Sequence, residues 1–271
     1  AAGVMRYLEE RHIGFDVGVA RIPIVPAAVL FDLMIGDPAI RPDASMGMEA
    51  CLNASQEAVV QGCVGAGTGA TVGKILGPRY AMKSGLGSAS MKIGGGVRVA
   101  ALVAVNACGD VIHPITQEIL AGAQKPVIGG FADSSRLITG DLNRVIAGFQ
   151  TNTTLGVVAT DAALSKPEAA KVAQMAQNGY ARSIRPVHTQ YDGDTIFALS
   201  CGDKASDVNA VGFAASLVME QAVVNAVKQA VSMGGLPAWI DQQKKKNTKK
   251  ERDEHGESNH TKDPANEAGR H

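Results

Sequence analysis

The chain has 271 residues, with 26 Lys and Arg balanced by 26 Asp and Glu, so its formal net charge is zero. That balance leaves no basic footprint for nucleic acid and none for an anionic membrane surface. Apolar residues make up 45 %, enough for a real core, while 4 % aromatics and 31 glycines point to a tightly packed α/β protein with close backbone approaches.

Residues 1–11 read as a helix, with Val4, Met5 and Leu8 on one face and no capping residue before them. A helix already under way at the first residue implies structure upstream, so the chain is expected to be N-terminally truncated. Arg6, Glu9, Glu10 and Arg11 rule out a signal-peptide pattern at this end, and no uninterrupted apolar run reaches the ~18 residues of a membrane span. Residues 22–31 carry Pro23 and Pro26 and end in Ala27-Ala28-Val29-Leu30-Phe31, a loop leading into a short strand. Residues 45–61 are a helix candidate, and the glycine-rich stretch 62–96 reads as irregular. The near-continuous apolar run at 97–106 predicts a buried strand. Residues 121–150 read as loop, exposed in the middle at Gly129, Gly130, Asp133, Ser134 and Ser135.

A β-rich run follows at 153–159. Next comes a helix capped by Ser165, with Pro167 in its first turn, Glu168 three residues after the cap, and Gly179 as its expected stop. A strand is predicted at 195–200 and a long helix at 207–231. From Asp241 the sequence turns polar, with Lys244, Lys245, Lys246, Lys249 and Lys250 interspersed with acids. Residues 241–271 cannot bury enough apolar area to offset their ordering entropy and are expected to be a disordered tail. Strands and helices alternate without the regular turn spacing of βαβ repeats, which favours an α+β or layered α/β domain over a doubly wound sheet. Cys51, Cys63, Cys108 and Cys201 form no C-x-x-C pair and read as free thiols, favouring a reducing, cytoplasmic compartment.

Three segments carry potential chemistry. Gly65-Ala66-Gly67-Thr68-Gly69-Ala70-Thr71-Val72-Gly73-Lys74 suggests a phosphate loop, but a Walker A sequence needs glycine at Thr68 and Ser or Thr at Ile75. The alternative dinucleotide fingerprint lacks a preceding strand and an acid ~20 residues on. What remains is a glycine-rich backbone presenting Lys74. Gln150-Thr151-Asn152-Thr153-Thr154-Leu155 runs directly into a strand and is either a plain turn or a processing site. In the second reading the Thr153 hydroxyl attacks the preceding carbonyl, and water hydrolyses the resulting ester. The freed α-amine, with an ordinary pKa of about 7.7–8.0, then serves Thr153 as its own base near neutral pH. His188-Thr189-Gln190-Tyr191-Asp192-Gly193-Asp194-Thr195 places two carboxylates around a glycine just before a strand. An Asx turn and a His/Asp metal site are both open there, although no EF-hand pattern is present.

Asn-Thr-Thr-Leu at 152–155, His-Thr-x-x-Asp-Gly-Asp-Thr at 188–195, Gly-x-Gly-x-x-x-x-x-Gly-Lys ending at Lys74, and Val-Asn-Ala at 105–107 occur together in this chain. Together they resemble the P1-family peptidases (peptidase family S58) of the L-aminopeptidase/D-esterase and β-peptidyl aminopeptidase type. The nearest branch is the 6-aminohexanoate-oligomer hydrolases, where the first aspartate also follows the nucleophile by 39 residues.

The resemblance implies a four-layer α/β/β/α sandwich related to the N-terminal-nucleophile hydrolases. It implies one self-processing hydrolase domain over 1–240, cut at Asn152–Thr153 into an α part (1–152) and a β part (153–240). Thr153 would be the nucleophile, with Asp192 and Asp194 holding its hydroxyl and amine. Lys74 would supply positive charge, and Asn106 an amide N–H for the oxyanion. No cofactor and no metal are implied; the substrate is a small peptide or oligoamide, and the assembly a homo-oligomer, commonly a tetramer of αβ units.

Phe31 stands where some relatives have tyrosine, so no hydroxyl is available there. The Thr/Asp-Gly-Asp pattern differs from branches that use serine and a Ser/Glu pair. The family's N-terminal strands and Gly-rich segment have no counterpart here, so the chain as given is expected to process itself poorly. A binding or assembly protein that keeps the fold without the chemistry is the reading from another class.

Overall fold

The computed structural model describes residues 1–127, 129–140 and 152–244. In chain order, α1 (Ala2–Glu9) is followed by the short pair β1 (Phe15–Asp16) and β2 (Arg21–Ile22), then α2 (Ala44–Leu52). β3 (Thr71–Val72) pairs with β4 (Met82–Lys83). β5 (Leu86–Lys92), β6 (Arg98–Ala104), β7 (Asp110–Ile112), β8 (Ile119–Ala121) and α3 (Ser134–Thr139) complete the first part. The second part holds β9 (Leu155–Ala162), α4 (Lys166–Ser183), β10 (Ile184–Arg185), β11 (Thr195–Lys204) and α5 (Val208–Lys228).

The main sheet has the order β11-β9-β6-β5, with β11 parallel to β9 and the other pairs antiparallel. β9 alternates strictly: Gly156, Val158, Thr160 and Ala162 are buried, and the residues between them are not. The buried set faces α5, where a Cβ on Gly87 would come within 2.0 Å of the Ala222 carbonyl oxygen. Sheet and helix backbones therefore touch, which only glycine allows there. The opposite face carries Leu102, Val157, Phe197 and Leu199 in register, and Leu199 is 50 % exposed. A second sheet, β10-β7-β8, buries Val111, Ala121 and Ile184 in the same core.

Helix boundaries follow their caps. Asp207 accepts from the N–H groups of Asn209 and Ala210 to open α5. By length and composition α5 is apolar enough to cross a membrane, but most of it is buried between the sheet and α4, as a core helix is. The Ser165/Glu168 capping box opens α4 as the sequence predicts. Gly179 does not close it: α4 continues to Ser183, and a Cβ at 179 would meet the Ser216 oxygen at 2.6 Å and Met219 Cβ at 2.7 Å. That glycine lets α4 and α5 approach.

The structure departs from the sequence reading elsewhere too. α2 stops at Leu52 rather than continuing to 61, and no strand forms at 27–31. The stretch 62–96 contains β5, whose small residues carry little intrinsic strand preference. Seven paired positions with β6 impose it. Ser134, expected at the surface, is fully buried because its N–H and hydroxyl both donate to the buried carboxylate of Asp110. Residues 239–244 are helical, so order extends past Asp241; the remainder of the expected tail, 245–271, lies outside the described residues, as do Gln150 and Thr151. All four cysteines are free.

Candidate active site

The site forms where the segments leading into β9 and β11 meet the end of β6. Parallel pairing begins at Thr195↔Leu155 and extends outward through a bridge between Asn152 and Asp192. Successive peptide groups in a strand point to opposite sides, and this alternation fixes the Asn152–Thr153 peptide from both sides. Its carbonyl oxygen accepts from Gly193 N–H at 2.7 Å, while its N–H, on Thr153, donates to the Asn106 carbonyl at 3.1 Å. One residue on, Thr154 N–H donates to Asp194 Oδ1 at 2.8 Å, and the Thr154 carbonyl accepts from Thr195 N–H. Thr153 Oγ1 lies against Gly193, where a Cβ would come within 2.8 Å of it.

Asn106 is fully buried just beyond β6. Its Oδ1 accepts from Lys74 Nζ at 2.7 Å and from Thr71 N–H at 3.2 Å. These donors, joined by the Thr71 hydroxyl at 3.5 Å, fix the amide orientation, and Nδ2 donates to the Phe31 carbonyl at 3.0 Å. Lys74 Nζ also reaches the Asn106 carbonyl at 3.1 Å, the same oxygen that holds Thr153 N–H.

Lys74 is carried inward by a turn at Gly73, whose φ of +71° and contact with Gly122 and Ala123 require glycine. Only 5 % of Lys74 is exposed. Burial lowers its pKa to about 7, opposed by the nearby carboxylates of Asp192 and Asp32. Cys108 is buried beside it, its thiol pushed up to about 12 chiefly by burial.

Asp194 is the buried carboxylate of the pair, its side chain 4 % exposed, with Oδ2 lying 3.4 Å from His188 Nδ1. Burial raises its pKa and Asp192 adds to this, while Thr154 N–H and His188 pull it back. Asp192 Oδ2 accepts from the Thr189 N–H and hydroxyl, so this carboxylate closes its own turn. Among the described residues no group of three or more His, Cys, Asp and Glu side chains is placed to hold a metal ion.

The structure thus gathers Lys74, Asn106, Asn152, Thr153, Asp192 and Asp194 into one connected network. Sequence reasoning missed the parts that support them. Lys83 is fully buried and donates to the Thr68 and Ala70 carbonyls, holding the glycine-rich loop next to Thr71. Nothing local distinguishes it from a surface lysine. His188 lay inside a recognised motif, but only the fold shows it touching Asp194, with a positive φ of 56°.

The pattern that defines peptidase family S58 matches residues 1–238. The chain is 38 % identical over 263 residues to an uncharacterized aminopeptidase of Mycobacterium tuberculosis, covering 89 % of this chain and 73 % of that one. It is 30 % identical over 253 residues to the 6-aminohexanoate-oligomer endohydrolase of Paenarthrobacter ureafaciens, covering 84 % and 67 %. Among solved structures, the PH0078 protein of Pyrococcus horikoshii aligns with a TM-score of 0.57 at 23 % identity. The alignment covers 87 % of this chain and 63 % of that protein. The L-aminopeptidase D-Ala-esterase/amidase of Ochrobactrum anthropi, a variant of the Ntn-hydrolase fold, aligns with a TM-score of 0.50 at 24 % identity over 72 % of this chain and 52 % of that one. Fold and relatives define the class: an α/β, Ntn-hydrolase-like hydrolytic enzyme of the aminopeptidase type. The chain belongs to peptidase family S58.

Proposed function

We propose that this chain is a self-processing amide hydrolase that cuts its own Asn152–Thr153 bond and then hydrolyses small peptides or oligoamides with Thr153. The observation that carries this reading is the Asn152–Thr153 peptide held from both sides, its carbonyl on Gly193 N–H and its N–H on the Asn106 carbonyl. A plain turn has no need of a buried lysine, a buried asparagine and a buried carboxylate converging on one peptide bond, since each is costly to desolvate.

In this mechanism the Thr153 hydroxyl is the nucleophile in both stages. After processing, its own α-amine takes the hydroxyl proton, so nucleophile and base share one residue. Lys74, protonated below a pKa of about 7, adds positive charge in that range that favours the neutral amine. Asp194 holds the Thr154 backbone beside the nucleophile, and Asp192 fixes the turn that carries Gly193 and Asp194. Asn106, oriented by Lys74 and Thr71, offers its second Nδ2 hydrogen to the oxyanion formed on a substrate. Donors of this kind contribute on the order of 3 kcal/mol.

The substrate class rests on the relatives' names, which span aminopeptidases and a 6-aminohexanoate-oligomer endohydrolase. Assembly into an oligomer is part of the proposal and is supported by large apolar side chains at the surface, including Val19, Ile24 and Val29. Self-processing is supported by the two hydrogen bonds that already hold the Asn152–Thr153 peptide in the uncleaved chain.

The test is a denaturing gel with intact-mass measurement. Wild type should yield two pieces, the smaller beginning at Thr153, while Thr153→Ala stays whole. Wild type running as one band would remove the enzymatic reading and leave the binding-protein one. A panel of free-amine peptides, D-amino-acid amides and 6-aminohexanoate oligomers then assigns the substrate.

A further inference from the structure

The scissile carbonyl already has a partner in the uncleaved chain. We infer that the Gly193 backbone N–H is the oxyanion donor of the self-processing step, a role separate from that of the Asn106 amide; this rests on the reading of Asn152–Thr153 as the processed bond. Gly193 N–H meets the Asn152 oxygen at 2.7 Å, the short end of the N–H···O range. When Thr153 Oγ1 bonds to the Asn152 carbonyl carbon, that oxygen gains the negative charge, so this hydrogen bond strengthens as the barrier is climbed.

The rest of the peptide group is arranged to match. Thr153 Oγ1 packs against Gly193 so closely that a Cβ there would come within 2.8 Å of it, and a larger residue would push the hydroxyl aside. The leaving nitrogen is held on the Asn106 carbonyl, beside Lys74 Nζ at 3.1 Å from the same oxygen.

Asn106 itself is poorly placed for this step. Its Oδ1 is taken by Lys74 and Thr71, and Nδ2 donates to the Phe31 carbonyl. Its backbone oxygen faces the amine side of the scissile bond, not the acyl side.

The step balances without a co-reactant. The Oγ1–C bond forms, the C–N bond breaks, and the hydroxyl proton ends on the departing nitrogen. Water then cleaves the ester into the Asn152 carboxylate and the free Thr153 amine and hydroxyl.

The experiment replaces the backbone N–H of Gly193 by oxygen, incorporating glycolic acid at that position of the full chain during translation. The control places the α-hydroxy analogue of threonine at Thr195, whose N–H makes the neighbouring rung to the Thr154 carbonyl at 3.0 Å without touching the scissile bond. Processing is followed by intact mass, and folding by circular dichroism and thermal unfolding. The Gly193 ester should slow processing by about 10²–10³-fold, the loss typical of one oxyanion donor, while the Thr195 ester stays within about tenfold of wild type.

Equal rates for wild type and the Gly193 ester would overturn the inference, as would equal slowing by both esters, which would mean that the rung only holds register. If wild type itself stays whole, as Thr153→Ala does, the processing reading fails and this inference fails with it. An isotope-edited infrared band of the Asn152 carbonyl, recorded in the Thr153→Ala precursor, reads the same hydrogen bond without turnover. It should move to higher frequency in the Gly193 ester only, and an unmoved band would count against the donor.

Discussion

Replacing Lys74 by methionine tests whether its ammonium is held at a cost inside the site. Methionine has a similar reach and no charge. The folded protein lowers the Lys74 pKa from 10.5 to about 7, and burial is the main cause. Between those values the unfolded chain holds a proton on this side chain that the folded chain has released, so the stability of wild type rises with pH across the window. The full penalty on the buried ammonium is roughly 5 kcal/mol, and linkage places roughly 2 kcal/mol of its relief between pH 7 and pH 9.

The two hydrogen bonds from Nζ to Asn106 are lost at either pH and displace both points in the same direction. Urea unfolding of Thr153→Ala and Thr153→Ala/Lys74→Met at the two pH values isolates the effect, because both proteins remain single chains. The stability of the methionine variant relative to its parent should fall by roughly 2 kcal/mol from pH 7 to pH 9. A difference that stays flat, or moves the other way, would refute a depressed Lys74 pKa and the reasoning built on it.

His188→Gln removes the group 3.4 Å from Asp194 Oδ2, so a carboxyl already raised by burial should rise further. The acidic limb of the processing rate against pH should move to higher pH, and an unmoved limb would show that His188 does not support the charge on Asp194. Gly179→Ala places a Cβ 2.6 Å from the Ser216 oxygen and 2.7 Å from Met219 Cβ, and forcing α4 from α5 should destabilise by roughly 1–3 kcal/mol in thermal unfolding. Asp110→Asn turns one of the oxygens that accept from Ala123 N–H, Ser134 N–H and the Ser134 hydroxyl into a donor facing donors. A loss of about 3 kcal/mol is expected in urea unfolding, and a loss below 1 kcal/mol would show the cluster to be loosely held.

The sequence by itself determined whatever depends on local periodicity and on a few side chains at fixed spacing. The β-rich run of β9, the apolar run of β6 and the Ser165 cap are short-range patterns, and each led to its element. The motifs containing Lys74, Asn106, Thr153 and the two aspartates could be quoted in order because each motif is contiguous.

Pairing and close approach were decided only by the tertiary structure. β5 exists because β6 offers it seven partners, and Gly179 serves a helix contact rather than a helix end. Lys74 looks like a surface lysine until the turn at Gly73 drives it to 5 % exposure against Asn106. The Asn152–Thr153 bond shows the division most clearly. Its residues could be named in advance, but the two hydrogen bonds that pin it come from Gly193 and Asn106, forty-one residues after Asn152 and forty-seven before Thr153. No local pattern records a contact that only sheet register creates.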